Sequence, residues 1–526
     1  MSIWLFITQL LLMFRDYSCF SRIEAFVWFL VAVLGIMVRS DDYGIASCIR
    51  SVGIDGQHYG TFDNFFHSLS WKISTIRSCW LTAVGRYACL DDTDERISFL
   101  IDHTKKSKEG RRMPGVRKIC QESETQSKPE YIHGHLFGGL SVVATRIRKS
   151  KPDVAVAIPL ILQLQSGISH MQTWLAMSCE NLNESEANSV KRMKRAVQDL
   201  EISAESSITQ MILHACRSAQ GMKRHANIIA DRAFLTLKAL NAIDDNNKEM
   251  TYKVQLVTRC KKNLGVYTRP RPRPKGKRGA PAKKGTRLYL DRLFSLNSNE
   301  LRKLIDPEDA SICWTTKSIC MYGKEEEVTF VALNLVWARA HCQVLRFVLV
   351  KYGEVKSFLV TTDLSMNPET VIRLYCTREK IETTFRELNQ RVNAFSARFW
   401  TLAMPKLNHF RKSSDPDPLE DVVSAADREK VALATRAIEL YAALSCIAIG
   451  LIQIISLSYE WTVSDFAWQR TSTDLCRPSE ECIQKYLRER IAEKIIKNSD
   501  NAIGALLQRH LDNSLFEEVE KVMIPA

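Results

Sequence analysis

The chain has 526 residues, of which 45% are hydrophobic, so it can bury a substantial core and a disordered chain is excluded. Its 73 Lys and Arg against 59 Asp and Glu leave a net charge of +14, which favours an anionic partner, nucleic acid first and an anionic membrane second. The 15 cysteines are scattered without a CxxC pair or zinc-ligand spacing, so we expect reduced thiols in a cytosolic protein rather than a disulfide framework.

The predicted elements begin with helices over residues 1–80. YACLDDTD (87–94) is then predicted as a short apolar strand that runs straight into acids, and ANIIADRAF (226–234) as a second strand of this kind. The remaining segments are predicted as strands at 133–147 and 154–165, a helix at 185–220, a helix after residue 234, a strand at 252–260, strand-rich stretches at 311–335 and 343–362, a helix from 374, and helices over 420–526.

Two apolar stretches could suggest a membrane protein. FVWFLVAVLGIMV (26–38) is shorter than the roughly 20 residues of a membrane span, and it lacks the order of charge and cleavage site found in a signal peptide. YAALSCIAIGLIQIISLSY (441–459) is longer but contains Gln453 and several serines. We therefore predict a buried helix for each, and keep a membrane-associated basic protein as an alternative.

The composition changes abruptly at residues 259–287, where RCKKNLGVYTRPRPRPKGKRGAPAKKGTR holds 12 Lys or Arg and no acid. Its prolines and glycines argue against regular structure. Cations on such a loop bind phosphate with steep salt dependence and can enter an A·T-rich minor groove, so we predict DNA contact rather than a merely solvated loop. The DNA-binding residues predicted here are Arg271, Arg273, Lys275, Lys277, Arg278, Lys283 and Lys284.

This order of elements predicts an α/β fold, namely an RNase H-like catalytic domain with a β-rich insertion before its last catalytic helix. In that fold the first and fourth strands are neighbours, so Asp91 or Asp92 would lie beside Asp231, and Glu382 could reach them from a helix across the sheet. The predicted domains are a helical N-terminal region that is a candidate for DNA-end contacts (1–80), the first part of the core (81–260), the basic loop and β-rich insertion (261–357), the core part with the catalytic helix (358–410), and a helical C-terminal region (411–526).

Three carboxylates at one sheet edge repel each other unless a cation lies between them. Mg²⁺ prefers hard oxygen ligands, and a pair of such ions can activate an attacking hydroxyl and stabilise the leaving oxygen of a phosphodiester. We predict Asp91, Asp231 and Glu382 as ligands of two Mg²⁺ or Mn²⁺ ions, with Asp92 as the alternative to Asp91. Any one of these acids alone also fits a turn or cap residue, as Asp363 does, so the prediction depends on the set and its order.

The stretch LYCTREKIETTFRE (374–387) places one of these acids on a helix. At 100° per residue, one narrow face carries Tyr375, Arg378, Glu382 and Asn389, beside an apolar face that should pack on the sheet. The i,i+4 pair of Arg378 and Glu382 could be an ordinary surface salt bridge. A phenol, a guanidinium and a carboxylate beside the core fit phosphate contact and metal ligation better.

These residues resemble the Tyr-(2)-Arg-(3)-Glu-(6)-Lys signature of insertion-sequence DDE transposases of the IS-four and IS-seven-oh-one kind. Tyr375, Arg378 and Glu382 match it, and Asn389 stands where the signature has Lys. ADRAF resembles the family's Asp-Arg-Gly-Tyr/Phe block, with Asp231 as the second acid, and LDDTD resembles its Asp-x-Thr block, with Asp91 or Asp92 as the first acid. The segment YTRPRPRPKGKRGAPAKKG is similar to a basic loop of these proteins, and the likeness extends loosely from about residue 58 to 460.

By this resemblance the chain is a bacterial insertion-sequence transposase that cleaves phosphodiesters at the element ends and transfers the 3′-hydroxyl to target DNA. Tyr375 and Arg378 would contact phosphate, and Arg232 and Asn389 join the DNA-binding set. The implied partners are double-stranded DNA, both the terminal inverted repeats and the target, and a second copy of the chain on DNA. The implied location is the cytoplasm, at the nucleoid and not at a membrane. A catalytically inactive or domesticated DNA-binding relative stays as an alternative, for which Asn389 and Ala233 leave room.

Overall fold

The computed structural model describes residues 1–41, 44–121, 130–146, 154–180, 182–270, 280–338, 342–408, 410, 415–461, 463–466 and 477–511. The N-terminal part is helical, as predicted. Its helices are α1 (Ile3–Asp16), α2 (Ile23–Val38), α3 (Gly44–Val52), α4 (Tyr59–Phe66) and α5 (Ile73–Tyr87).

Strands and helices alternate in the middle of the chain, so the fold is mixed α/β. The first group is β1 (Asp92–Thr93), β2 (Arg96–Ser107), β3 (Arg117–Cys120), β4 (Tyr131–Arg146), β5 (Val154–Leu164), α6 (Glu184–Asp199), α7 (Ser207–Met222), β6 (His225–Ala230), α8 (Leu237–Glu249) and β7 (Val254–Arg259). The second group is β8 (Val266–Tyr267), β9 (Arg287–Leu288), α9 (Leu290–Leu293), α10 (Ser298–Ile305), β10 (Thr315–Met321), β11 (Lys324–Trp337), β12 (Gln343–Tyr352) and β13 (Val355–Thr361). Helices follow to the end of the described residues: α11 (Pro368–Cys376), α12 (Glu379–Gln390), α13 (Ala425–Ser458), α14 (Glu480–Ile491) and α15 (Ala502–Leu507).

The described strands form one sheet with the order β3-β4-β2-β6-β7-β13-β12-β11-β8-β9, and β1, β5 and β10 pair with β2, β4 and β11. The pairings of β2 with β6 and of β6 with β7 are parallel, whereas the other described pairings are antiparallel. The strands predicted as a β-rich insertion therefore continue the same sheet beyond β7, through β13.

The predicted strand at 87–94 is wrong. Tyr87 ends α5, and β1 turns back into β2 through Asp94 and Glu95, whose φ angles are 53° and 61°. Two consecutive residues with positive φ are typical of a type I′ hairpin turn, whose twist matches that of the flanking strands. The first long strand of the sheet is therefore β2, which begins just after the acidic cluster.

The two faces of the sheet are covered by different helices. Phe99 and Ile101 of β2 belong to the large core that includes α7 and α8, whereas Leu100 belongs to a smaller core with Ile381 of α12. Because successive side chains of a strand point to opposite faces, even-numbered residues of β2 face α11 and α12. The sheet therefore places the side chain of Asp102 on the face beneath α12.

The longest described helix, α13, is buried in the protein. By length and composition it is the one described helix that could cross a membrane, but its apolar window is 100% buried among α2, α5, α6, α14 and β5. The apolar residues of α2 are buried as well. The prediction of two buried helices is confirmed. Neither of these two apolar helices is exposed, so neither supports the alternative of a membrane anchor.

Candidate active site

Two aspartates lie side by side where β2 and β6 run in parallel. The register pairs Ile101 with Ala230, so the next residues, Asp102 and Asp231, are neighbours on adjacent strands. Asp102 and Asp231 each come two residues after a member of the smaller core, Leu100 and Ile229 respectively. Because residues two apart on a strand point to the same face, both aspartate side chains point toward α12. The Thr258 hydroxyl donates to the Asp231 backbone carbonyl at 2.9 Å, which ties this end of β6 to β7.

The carboxylate of Asp102 lies in an environment that disfavours its charge. Burial raises its pKa above the ordinary value, and the nearby carboxylates of Asp231 and Glu382 raise it further. Arg378 and the backbone N–H of His103, which donates to Asp102 Oδ1 at 2.8 Å, act in the opposite direction. Three acids are therefore close enough to influence each other, and a cation is needed to hold them together charged.

That cation is supplied in this structure by Arg378. Its guanidinium donates to Asp102 Oδ2 at 2.9 Å and to Glu382 Oε1 at 2.9 Å. Burial alone lowers the pKa of Arg378, but the surrounding Asp102, Tyr375, Asp231 and Glu382 raise it overall. The side chains of Arg378 and Asp102 are each 20% exposed, whereas Glu382 is 61% exposed. Arg378 thus joins two of the acids and is held more firmly by the buried one.

The helix predicted over 374–387 is broken into α11 and α12. Between them Thr377 and Arg378 form a tight turn, in which the Thr377 hydroxyl donates to the Leu374 carbonyl at 2.7 Å. A local side-chain bond of this kind competes with the helical hydrogen-bond ladder. Arg378 and Glu382 keep their predicted i,i+4 contact because both lie on the first turn of the second helix.

Tyr375 ends the first of these helices beside the aspartates. Burial raises the pKa of its phenol, and Arg378 and Arg259 lower it, the latter also through a hydrogen bond, while Asp231 raises it. Arg259 is the last residue of β7 and was not predicted as a site residue. Its position could be anticipated, because it ends the strand next to the one that carries Asp231. A phenol and two guanidiniums therefore surround the carboxylates.

The expectation that Asp91 or Asp92 lies beside Asp231 is wrong. Both precede β2, with Asp92 paired to Ile97, so they lie at the start of that strand, whereas Asp102 and Asp231 lie further along, beyond the pair of Ile101 and Ala230. Asp91 Oδ2 accepts from the hydroxyls of Thr93 and Ser98 at 3.2 and 3.4 Å, and Asp92 forms an ion pair with Arg224. Asp92 is the first residue of the short hairpin strand β1, and Asp91 comes directly before it. Asp102 was not predicted as a site residue, although ISFLID (97–102) ends its apolar run on an acid in the same way as ANIIAD (226–231).

The other predicted DNA-binding residues are only partly described. Arg232 is exposed directly after Asp231, and Asn389 lies two turns after Glu382 near the end of α12. Lys283 and Lys284 are exposed, and the Lys284 ammonium lies 4.6 Å from the ring centre of Tyr267. Five predicted residues lie outside the described ones: Arg271, Arg273, Lys275, Lys277 and Arg278.

The donor set suits a hard divalent cation, but the side chains are not arranged around one. Among the described residues no three His, Cys, Asp or Glu come close enough to hold a metal ion. The physical reason at Asp102 and Glu382 is the guanidinium of Arg378, which binds the same oxygen atoms that a cation would take. Carboxylate oxygens are the ligands that Mg²⁺ and Mn²⁺ prefer, so Asp102, Asp231 and Glu382 fit such an ion once Arg378 moves.

Comparison with known proteins gives a family match over part of the chain. Residues 198–403 match the family model of the transposase DDE domain, and this range contains Asp231, Tyr375, Arg378 and Glu382. Searches of curated proteins and of solved structures find no match. The matched part of the chain is therefore similar to the catalytic domain of DDE transposases, which confirms the resemblance to a DDE transposase. The IS-four and IS-seven-oh-one kind stays a prediction.

Proposed function

We propose that the chain is a DDE transposase that cleaves phosphodiesters at the ends of a mobile element and joins the freed 3′-hydroxyl to target DNA. The observation that carries this proposal is that Asp102 and Asp231 follow the last pair of the parallel strands β2 and β6, with Arg378 bonded to both Asp102 and Glu382. Asp231, Arg378 and Glu382 lie within the range that matches the transposase DDE domain, and Asp102 lies outside it. Asp102 takes the role of first acid that the sequence had suggested for Asp91 or Asp92.

The strand order supports an RNase H-like core for this chemistry. Counting the long strands along the chain, β2 is the first, β4 the second, β5 the third, β6 the fourth and β7 the fifth. The first and the fourth are parallel neighbours, as that fold requires, and each carries one of the two aspartates. The strands after β7 extend the sheet before the chain returns to the acids in α12.

The residues that would hold two Mg²⁺ or Mn²⁺ ions are Asp102, Asp231 and Glu382. Bound there, the ions would supply activation of the attacking hydroxyl and stabilisation of the leaving oxygen. The chain's own part is to place phosphate against them. Arg378 leaves the carboxylates and donates to the non-bridging phosphate oxygens, to which a guanidinium fork is well matched. Tyr375 and Arg259 donate from the other side, at the end of β7.

Burial helps these groups to discriminate the transition state. Charge builds up on the phosphate oxygens during the displacement, and fixed donors in a partly desolvated site stabilise that charge without reorganisation. Arg378 and Tyr375 are both partly buried and are held between sheet and helix. The basic residues of 259–287 would add affinity for DNA of any sequence, and a homodimer on DNA would bring two element ends together. This activity belongs in the cytoplasm at the nucleoid.

The test is a nicking assay with purified protein, Mg²⁺ and a plasmid that carries the gene with its flanking DNA. We expect wild type to nick near the ends of the element and Glu382→Gln to leave the plasmid intact. A gel-shift assay with the same DNA shows whether both proteins still bind it. Cutting by Glu382→Gln at the wild-type rate would disprove the assignment of the acids.

An inactive DNA-binding relative is the second candidate, since Asn389 replaces the lysine of the signature. It predicts DNA binding by wild type without nicks in either Mg²⁺ or Mn²⁺. Restoring the signature with Asn389→Lys separates the two candidates further. A nicking rate that rises in this variant identifies a weakened enzyme, and a variant that still fails to cut identifies a binding protein.

A further inference from the structure

A groove of about 1020 Å³ starts at the two aspartates and follows the end of β2. One wall is the edge of β2 from Asp102 to Ser107. The opposite wall is the beginning of α7, with Ser207, and the turn after Asp231, with Phe234. The groove therefore begins at Asp102 and Asp231 and continues along a single strand.

Among the described residues, no strand pairs with this edge of β2 inside the groove. Its pairing with β6 ends at Ile101 and Ala230, whereas its pairing with β4 continues to Ser107. Alternate residues of a paired strand direct their N–H and C=O groups to alternate sides, so part of the 103–107 backbone faces the groove. The main-chain N–H groups on an open strand edge are donors that an added partner can use, as added peptide strands do.

Lysines line the same edge. Lys105 and Lys106 both border the groove, and Asp102 and Asp231 at its start are its only acids among the described residues. The Lys105 ammonium donates to the Cys120 carbonyl at 2.8 Å, which leaves further donors on the same nitrogen. The Lys106 ammonium lies 4.9 Å from the ring centre of Phe395. As successive residues of β2, the two lysines project to opposite faces of the strand, so one cation lies on each side of the edge.

We propose that this groove holds the phosphate backbone of the DNA strand that leads away from the scissile phosphate. The proposal rests on the proposed function, because continuity with the acids is what selects DNA over an added peptide strand. Residues 102–107 span about 17 Å at strand spacing, and phosphates repeat about every 3.4 Å along a duplex, so several can follow the edge. The lysines bind them, and the main-chain N–H groups fix their register.

The experiment compares Lys105→Gln/Lys106→Gln with the matched control Lys118→Gln, an exposed lysine of β3 that does not line the groove. The probe is a fluorescein-labelled single strand of about 20 nucleotides, titrated at several salt concentrations in EDTA. We expect the double variant to lower the slope of log K against log salt by about 1.4, because each lost phosphate contact lowers it by about 0.7 on single strands. We expect Lys118→Gln to keep the wild-type slope.

Hydrogen exchange of wild type gives a second measurement that depends on no variant. We expect the oligonucleotide to protect those amides of 103–107 that face the groove and are not bonded to β4, and an unchanged exchange rate there would overturn the proposal. Protection that grows with protein concentration without DNA would assign the edge to a second copy of the chain and would also overturn it. A protein that nicks plasmid but shows equal slopes for all variants disproves the groove alone, whereas altered slopes without nicking disprove the proposed function alone.

Discussion

Arg378 reaches across 276 residues of sequence to donate a hydrogen bond to Asp102 at 2.9 Å. The same guanidinium donates to Glu382 at 2.9 Å, so the side chain of Arg378 joins β2 to α12. The positive charge of Arg378 thus balances the negative charges of Asp102 and Glu382, and we propose that the same residue binds the phosphate of the substrate. Under the proposed function, metal and DNA would therefore draw Arg378 from the carboxylates to the substrate.

Arg378→Ala separates these two roles. An arginine beside a carboxylate typically lowers the carboxyl pKa by about 1–3 units, because the guanidinium and the proton compete for the same negative charge. Mn²⁺ competes for that charge too, so removing Arg378 should tighten Mn²⁺ binding, on the order of tenfold. Strand cleavage should fall about 10²- to 10³-fold, because a donor to the transition state is lost. Titration calorimetry with Mn²⁺ and the plasmid assay check the two effects. Arg386→Ala, on the exposed side of α12, is the control and should change neither. Weaker Mn²⁺ binding by Arg378→Ala would show that the arginine does not compete with metal.

Asp102→Asn should abolish cutting, whereas Asp91→Asn and Asp92→Asn should leave it within about threefold of wild type. Asp102 lies beside Asp231, while Asp92 pairs with Arg224 at the exposed far end of β2, where an ion pair contributes little. The rate of plasmid nicking in Mg²⁺ distinguishes the three variants. Thermal unfolding of each protein is the control for folding. Activity that survives in Asp102→Asn and is lost in Asp91→Asn would restore the prediction made from sequence.

Much of this site could be predicted from sequence, because its residues follow local patterns. Asp231 directly follows a short apolar strand, and Arg378 and Glu382 are one helical turn apart. These local spacings were enough to predict all three residues. The first acid could not be placed in the same way. Asp102 lies in the interior of a strand, because β2 continues to Ser107 whereas its pairing with β6 ends at Ile101. The sequence pattern predicts an acid at the end of a strand, and it places Asp91 and Asp92 at the end of the strand predicted at 87–94.

Two further features depend on contacts that no local pattern records. The break between α11 and α12 has neither Pro nor Gly, and it is stabilised by the Thr377 hydroxyl and by the bond of Arg378 to Asp102. The open edge of β2 follows from the length of β6 relative to that of β4. Both are consequences of tertiary pairing, whereas the buried helices α2 and α13 were predictable from composition.

Gly139→Ala should displace α12 and lower cutting about 10²-fold. Gly139 pairs with Asp102 across β4 and β2, and a Cβ atom there would lie 2.5 Å from the Cε1 atom of Phe385 on α12. A shift of about 1 Å in a catalytic group can cost a factor of this size. The plasmid assay measures it, and Gly60→Ala, where an added Cβ has open space, is the control. Adding Phe385→Leu to Gly139→Ala should recover activity, and a double variant as slow as the single one would contradict the steric explanation.

Glu439→Ala should destabilise the protein by about 3–5 kcal/mol, because it leaves Arg77 buried without its partner. The Arg77 guanidinium donates to Glu439 Oε2 at 2.6 Å, and their side chains are 8% and 1% exposed. Urea denaturation measures the free energy of unfolding. Glu429→Ala on the same helix removes an ion pair whose arginine, Arg192, is 53% exposed, so its change should stay within about 1 kcal/mol. Equal losses in both variants would show that burial does not decide the strength of these pairs.

His214→Gln should reduce the acid sensitivity of the fold. Burial, with Arg77 and Arg217 nearby, lowers the pKa of His214 to about 3, and its Nε2 donates to Gln163 at 2.6 Å. The unfolded chain binds a proton there near pH 6.5 and the folded one does not, so this stability is present above pH 6.5 and lost as pH falls toward 3. Replacing His214 should lower the slope of unfolding free energy against pH, between about 4 and 6, by about 1.4 kcal/mol per pH unit.

His135, which is also buried with its pKa lowered to about 3, should give the same change in His135→Gln. Urea denaturation at a series of pH values measures the slopes, and variants with the wild-type slope would show that these imidazoles are protonated in the folded protein as well.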